Sequence, residues 1–243
     1  MMQVSNDMKI RLKQIDIYIQ IAISVAALVF ILFELSICLS GDAAIYFPFF
    51  KNFFQMPFSY FEGKVTYGAT SVLWTCMGAA IYALFKAYWL IAIRIFNICL
   101  IEIAVAIINR TLKGNMVTYG LGLFTVLYSW RVVSFAVEGF EIGLMLFSIA
   151  LLFYFSVNNK VTAAIGISGL LYLVRPELFI LTIIFDVYSL WVHKINFLKW
   201  IKLCFISGIS LIAYICYMGY RTGPLIPSSV SGRFIQSMEE NMS

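Results

Sequence analysis

The residues able to do chemistry in this chain are the few charged groups that interrupt long apolar stretches. Asp42 directly follows the first such stretch. Glu138 and Glu141 stand three positions apart at the start of another, and Arg175-Pro176-Glu177 breaks a third. A carboxylate can take or give a proton, and an arginine fork pairs with carboxylate or phosphate oxygens. Charge at membrane depth is costly, so each of these groups raises a functional question. Each also has a structural use. Asp42 suits the N-cap of a following helix. Glu138 and Glu141 share one helical face and suit the positive end of a helix start. Arg175-Pro176-Glu177 suits a tight turn with a local ion pair, Pro176 closing one helix and opening the next. Glu34, near the end of the first apolar stretch, can reach for the interface.

Composition sets the medium in which these groups must work. Of 243 residues, 62% are apolar and 12% are charged, against about 25% charged in an ordinary soluble domain. Lipid is expected to cover the excess apolar surface. The net charge of +5 is dispersed between apolar runs, so it informs topology rather than marking a nucleic-acid partner. Cys38, Cys76, Cys99, Cys204 and Cys216 lie in or beside those runs without a CxxC pair, which speaks against a disulfide framework or a zinc site. They read as packing residues. His193, beside Lys194, reads as an interface residue. No cofactor is called for, and one aspartate with scattered glutamates is not a divalent-cation coordination pattern.

The elements that must position the charges are apolar runs at about 17–39, 71–85, 88–109, 116–137, 142–157, 161–174, 177–192 and 203–220. The first is too long for a cleavable leader and is followed by no small-residue cleavage site. It is expected to remain as a membrane anchor. Lys9, Arg11 and Lys13 put the N-terminus in the cytoplasm, as do Arg110 and Lys113, Lys160, and Lys194, Lys199 and Lys202 for three later loops. Asp42, Glu138–Glu141, Arg175–Glu177 and Arg221–Pro227 then share the outer side. Parity requires an even number of crossings between Asp42 and Glu141, yet three runs intervene. One is therefore expected to be re-entrant or half-length: 71–85 by preference, with 116–137 the other candidate. The expectation is an all-α polytopic bundle of about seven spans plus that short helix. Residues 1–220 form the membrane domain, with an outer loop at 41–70 and an outer tail at 221–243. Within the loop, Pro48, Lys51, Asn52 and Gln55 fall on one helical face and aromatic residues on the rest, predicting an amphipathic helix in the membrane interface. Outer carboxylates and an arginine beside an aromatic loop suit an anionic, lipid-linked substrate approached from within the bilayer.

The loop also carries a more specific pattern. The run GDAAIYFPFFKNFFQMPFSYFEGKVTYGATSVLW resembles the first outer loop of bacterial polyprenyl-phosphate-sugar glycosyltransferases of the GT-C class, especially arabinofuranosyl- and mannosyltransferase-like members. Asp42 matches the second of the family's two acidic positions, with Gly41 at the first. Asn52 matches its Asn. Gly63 and Gly68-Ala69-Thr70-Ser71-Val72-Leu73-Trp74 match the closing motif, with Val72 where the family has proline. Gly139-Phe140-Glu141 is similar to its Gly-Leu-Glu, and Arg175-Pro176-Glu177 to its Arg-Pro-Glu. The stretch from Gly223-Pro224-Leu225-Ile226-Pro227 to Arg233 is similar to a Gly-Asp-x-x-Pro…Lys segment.

That resemblance implies a transferase of the bacterial inner membrane. It would move a sugar from a polyprenyl-phosphate donor to an envelope glycan or lipid acceptor on the outer face. Asp42 would be the catalytic base. Asn52, Thr70, Ser71, Glu141, Arg175 and Glu177 would shape the substrate site, Arg175 facing the donor phosphate. Family members continue past the position of Ser243, so the chain is expected to correspond to their N-terminal part. Other classes fit the same charges: a transporter or flippase component, for which no inverted pair of Gly/Pro breaks is found, or an inactive remnant that binds lipid or a partner.

Overall fold

The computed structural model describes residues 43–61, 64–65, 71–129, 132, 136–192 and 196–222, together with positions 18, 21, 22, 25 and 29. The described chain is overwhelmingly helical. Helix α1 (Ala43–Asn52) leads into a small antiparallel hairpin, β1 (Ser59–Phe61) and β2 (Lys64–Val65). Then follow α2 (Val72–Phe85), a 3₁₀ turn (Lys86–Tyr88), α3 (Trp89–Thr111), α4 (Met116–Tyr128), α5 (Ile142–Val157) and α6 (Val161–Val174). A second 3₁₀ turn (Pro176–Leu178) precedes α7 (Phe179–Val192) and α8 (Phe197–Thr222). Among the described residues, Val72–Thr111 is the one helical run long and apolar enough to cross a membrane. Tyr18, Ile21, Ala22, Val25 and Val29 are helical and exposed.

Local chemistry explains where the helices stop. At the end of α3, Gly114 N–H donates to Asn109 O (2.8 Å) and Lys113 N–H to Arg110 O (3.1 Å). At the end of α5, Lys160 N–H donates to Phe155 O (2.8 Å) and Asn159 N–H to Ser156 O (3.1 Å). Both are Schellman closures, with Lys113 and Asn159 in the left-handed region at φ 55° and 57°. The next helix starts on a side-chain cap in the first case: Asn115 Oδ1 accepts from Thr118 N–H at 3.0 Å. Lys86, at φ 43°, marks the irregular join of α2 and α3 within the continuous run Val72–Thr111.

The core gathers around α6, which packs on α5, α7, α8 and α2, while α3 lies against the other side of α5. Ala164, Ile165, Leu171 and Val174 of α6 are fully buried, with Trp74 of α2 and Ile93 of α3. On α7, by contrast, Ile180, Ile183, Ile184, Val187 and Trp191 are exposed.

The expected runs 142–157 and 161–174 coincide with α5 and α6. The run 116–137 does not form one element: α4 ends at Tyr128, where Ser129 takes an extended conformation. Helix α8 starts at Phe197, ahead of the expected 203, carrying Lys199 and Lys202 on its first turns. The loop helix is present, but its rings point into the protein rather than out of it. Tyr46, Phe49 and Phe50 are buried, and Phe47 stacks on Trp89 at 4.9 Å. The hairpin was not expected. Phe58 beside it meets Tyr214 of α8 at 5.6 Å.

Candidate functional site

Glu141 occupies the N-cap position of α5, without a side-chain capping bond, and Arg175 the C-cap position of α6, neighbouring helices joined by a short turn at their far ends. This brings two separate polar interruptions of the sequence together. Arg175 Nε lies 2.8 Å from Glu141 Oε1 and 3.7 Å from Glu177 Oε2. The Glu141 side chain is 3% exposed, that of Arg175 39% and that of Glu177 67%. The short contact is a charge pair off the hydrogen-bond axis. It is the Nε edge of the guanidinium that faces both carboxylates.

Burial pushes the Glu141 carboxyl above the ordinary glutamate range, and Glu177 adds to this. Its own main-chain N–H, the Arg175 charge and the Tyr46 hydroxyl favour the ionised form and offset part of the effect. The outcome is a buried carboxyl with a raised proton affinity, beside a cation that is partly open to its surroundings.

The turn that carries Glu141 is built by other helices. Trp74 Nε1 donates to Gly139 O at 2.9 Å. Arg94 Nε donates to Val137 O at 2.6 Å. Asn97 Nδ2 donates to Ala136 O (2.9 Å) and Phe140 O (2.6 Å), and its Oδ1 accepts from Gly143 N–H at 2.8 Å. Gly139 sits at φ +94°, where a side chain would strain the backbone. A Cβ on Gly143 would overlap the Oδ1 and main-chain oxygen of Asn97, so only glycine allows α3 and α5 this approach.

Of the residues expected in a site, Glu141, Arg175 and Glu177 converge. Ser71 is buried and caps α2, accepting from Trp74 N–H at 3.2 Å. Through Trp74 it stands beside the Glu141 turn. Asn52 Nδ2 donates to Ser59 O (3.3 Å) and Tyr60 O (3.4 Å), tying α1 to the hairpin. Asp42 and Thr70 lie outside the described residues, as do Glu34, His193 and the segment from Gly223 to Arg233. Among the described residues no group of three or more His, Cys, Asp and Glu side chains is placed to hold a metal ion.

Sequence reasoning missed Arg94 and Asn97, although the signal was there. They stand three apart inside the apolar run 88–109, hence on one helical face, and a charge in such a run marks a specific partner. It also missed Asp186 in α7, which is buried and accepts from Ser168 Oγ at 2.8 Å. Trp200 of α8 donates to the Asp186 main-chain oxygen at 2.8 Å.

Comparison with family models, with curated proteins and with solved structures gives no match to this chain.

Proposed function

We propose that the chain is a polytopic membrane protein of the glycosyltransferase GT-C type, acting on a polyprenyl-phosphate sugar donor at the outer face. The observation that carries this reading is the Glu141–Arg175 pair. Two motifs far apart in sequence meet at 2.8 Å, beside the α1 turn that directly follows Asp42, whose Tyr46 faces Glu141. The apolar exposure of α7 and the apolar run Val72–Thr111 support a lipid setting.

In this reading, the Nε edge of Arg175 is engaged by Glu141 and Glu177, leaving the outer fork for the donor phosphate. Asp42 accepts the acceptor's hydroxyl proton. The resulting oxygen attacks the anomeric carbon, the bond from that carbon to the phosphate oxygen breaks, and polyprenyl phosphate leaves. Binding energy for the phosphate and proton transfer thus come from different residues, and they can be separated.

The test is a titration of polyprenyl-phosphate sugars against the purified chain in nanodiscs, followed by thermal stabilisation and by sugar transfer. Saturable stabilisation by one donor, weakened in Arg175→Ala, is expected. Asp42→Asn should retain donor binding and abolish transfer. If no donor stabilises folded protein, the glycosyltransferase reading fails and a transporter or a lipid-binding remnant takes its place.

A further inference from the structure

The turn that carries Glu141 is held from outside at four main-chain oxygens. Its main-chain oxygens at Ala136, Val137, Gly139 and Phe140 are met by side chains from α2 and α3. Ala136 and Val137 are buried, so without those donors their carbonyls would be orphaned at a cost of about 1–3 kcal/mol each. Asn97 uses its whole amide: both N–H groups donate and the oxygen accepts. Its partners Phe140 and Gly143 flank Glu141 on both sides. Asn97 is itself fully buried on α3, a helix packed along the length of α5.

We infer that Asn97 is the positioning residue for Glu141, with Arg94 and Trp74 as its supports, and that it sets the carboxylate against Arg175. For its substrate this rests on the glycosyltransferase reading; the geometry itself does not. Asn97 touches neither charge of the pair. It fixes the main chain one residue before Glu141 and two after, so the carboxylate faces Arg175 with its solvent removed. A structural residue would only hold the helices together. A positioning residue also controls the protonation of the group it places.

That difference is measurable without any ligand. The groups facing Glu141 are Arg175 after α6, Glu177 in the 3₁₀ turn and Tyr46 from α1, while Arg94 on α3 is committed to Val137 O. Because burial raises the Glu141 pKa in the folded state, the folded chain binds the proton more tightly than the unfolded chain. Stability is therefore greatest below the ordinary glutamate value of about 4.3. It falls as pH rises through the window between that value and the raised one.

The experiment follows the Tm of the intact chain in nanodiscs from acid to neutral pH, for wild type, Glu141→Gln, Asn97→Ala, Asn97→Ser and the Asn97→Ala/Glu141→Gln pair. Wild type should lose Tm through that window, and the difference from Glu141→Gln isolates the part due to Glu141. Both Asn97 variants should lose most of that part, and adding Glu141→Gln to Asn97→Ala should change the pH profile no further. Equal lowering of Tm at every pH, with the Glu141 part intact, would overturn the inference. So would a wild type with no Glu141-dependent part, since no buried carboxylate is then being held. If the alanine protein does not fold, Asn97→Ser, which keeps a hydroxyl donor, carries the comparison. Since no donor is present, the result is independent of whether donor titrations succeed.

Discussion

Replacing Gly143 by alanine adds a single methyl group where α3 and α5 come closest, and the structure fixes the sign of its effect. The new Cβ would overlap the Oδ1 and the main-chain oxygen of Asn97. A flexible side-chain tip can swing aside, but a main-chain oxygen within a helix cannot, so the helices must part. Overpacking of this kind costs about 1–3 kcal/mol. Parting also stretches the 2.8 Å Gly143–Asn97 bond, and a buried Oδ1 left without its donor costs about 1–3 kcal/mol more. Against this, alanine in place of a helical glycine gains about 1 kcal/mol. The net expectation is a loss of about 1–5 kcal/mol, or a fall in Tm of roughly 2–20 °C at about 2–4 °C per kcal/mol for a chain of this size. The control is the same substitution at Gly166 in α6, where a Cβ meets open space. There only the propensity gain of about 0.5–1 kcal/mol remains, and Tm should rise by a few degrees. Thermal unfolding of both variants in the same nanodiscs, read by circular dichroism, makes the comparison. A Gly143→Ala protein as stable as wild type would refute the close approach of α3 and α5, and with it the clamp on the Glu141 turn.

Trp74→Phe keeps most of the ring but removes the donor to Gly139 O, so it should lower stability by about 1–3 kcal/mol, measured by the same unfolding assay. Arg175→Ala leaves the Glu141 carboxyl buried without its cation. Breaking a buried pair costs about 3–5 kcal/mol, and the partial exposure of Arg175 reduces this to about 1–3. In the Glu141→Gln background the same change should cost clearly less, and equal costs in the two backgrounds would mean that the 2.8 Å contact carries no coupling.

Helix boundaries were legible where polar residues punctuate apolar ones. Glu141 opens α5, Asn158-Asn159-Lys160 separates it from α6, and Arg175-Pro176 closes α6, each a group the neighbouring helix cannot continue through at low cost. The ion pair expected of Arg175 was the local one with Glu177, whereas its closer contact is with Glu141. Glu141 and Arg175 were both placed on the outer side by counting charges in loops, and antiparallel neighbours put the start of one helix beside the end of the next. The hairpin was not legible, because strands of three and two residues carry no period. Asn52 ties the first of them to α1 through Ser59 and Tyr60. The inward direction of the α1 rings was hidden too, since aromatic residues suit a lipid interface and a protein core equally well. Arg94 and Asn97 were readable, as two polar groups three apart inside an apolar run.

The clamp has a consequence for how the chain is made. Trp74 precedes its partner Gly139 by 65 residues, and Arg94 precedes Val137 by 43. At about 5–20 residues per second, α3 emerges from the ribosome roughly two to nine seconds before the turn that will satisfy it. During that interval the main-chain oxygens of Ala136, Val137 and Phe140, which Arg94 and Asn97 will meet, have not yet been made. The nascent chain must keep this face of α3 wet or shielded until residue 143 arrives, and α3 and α5 close only then. Release of that face marks a late, vectorial step in assembly.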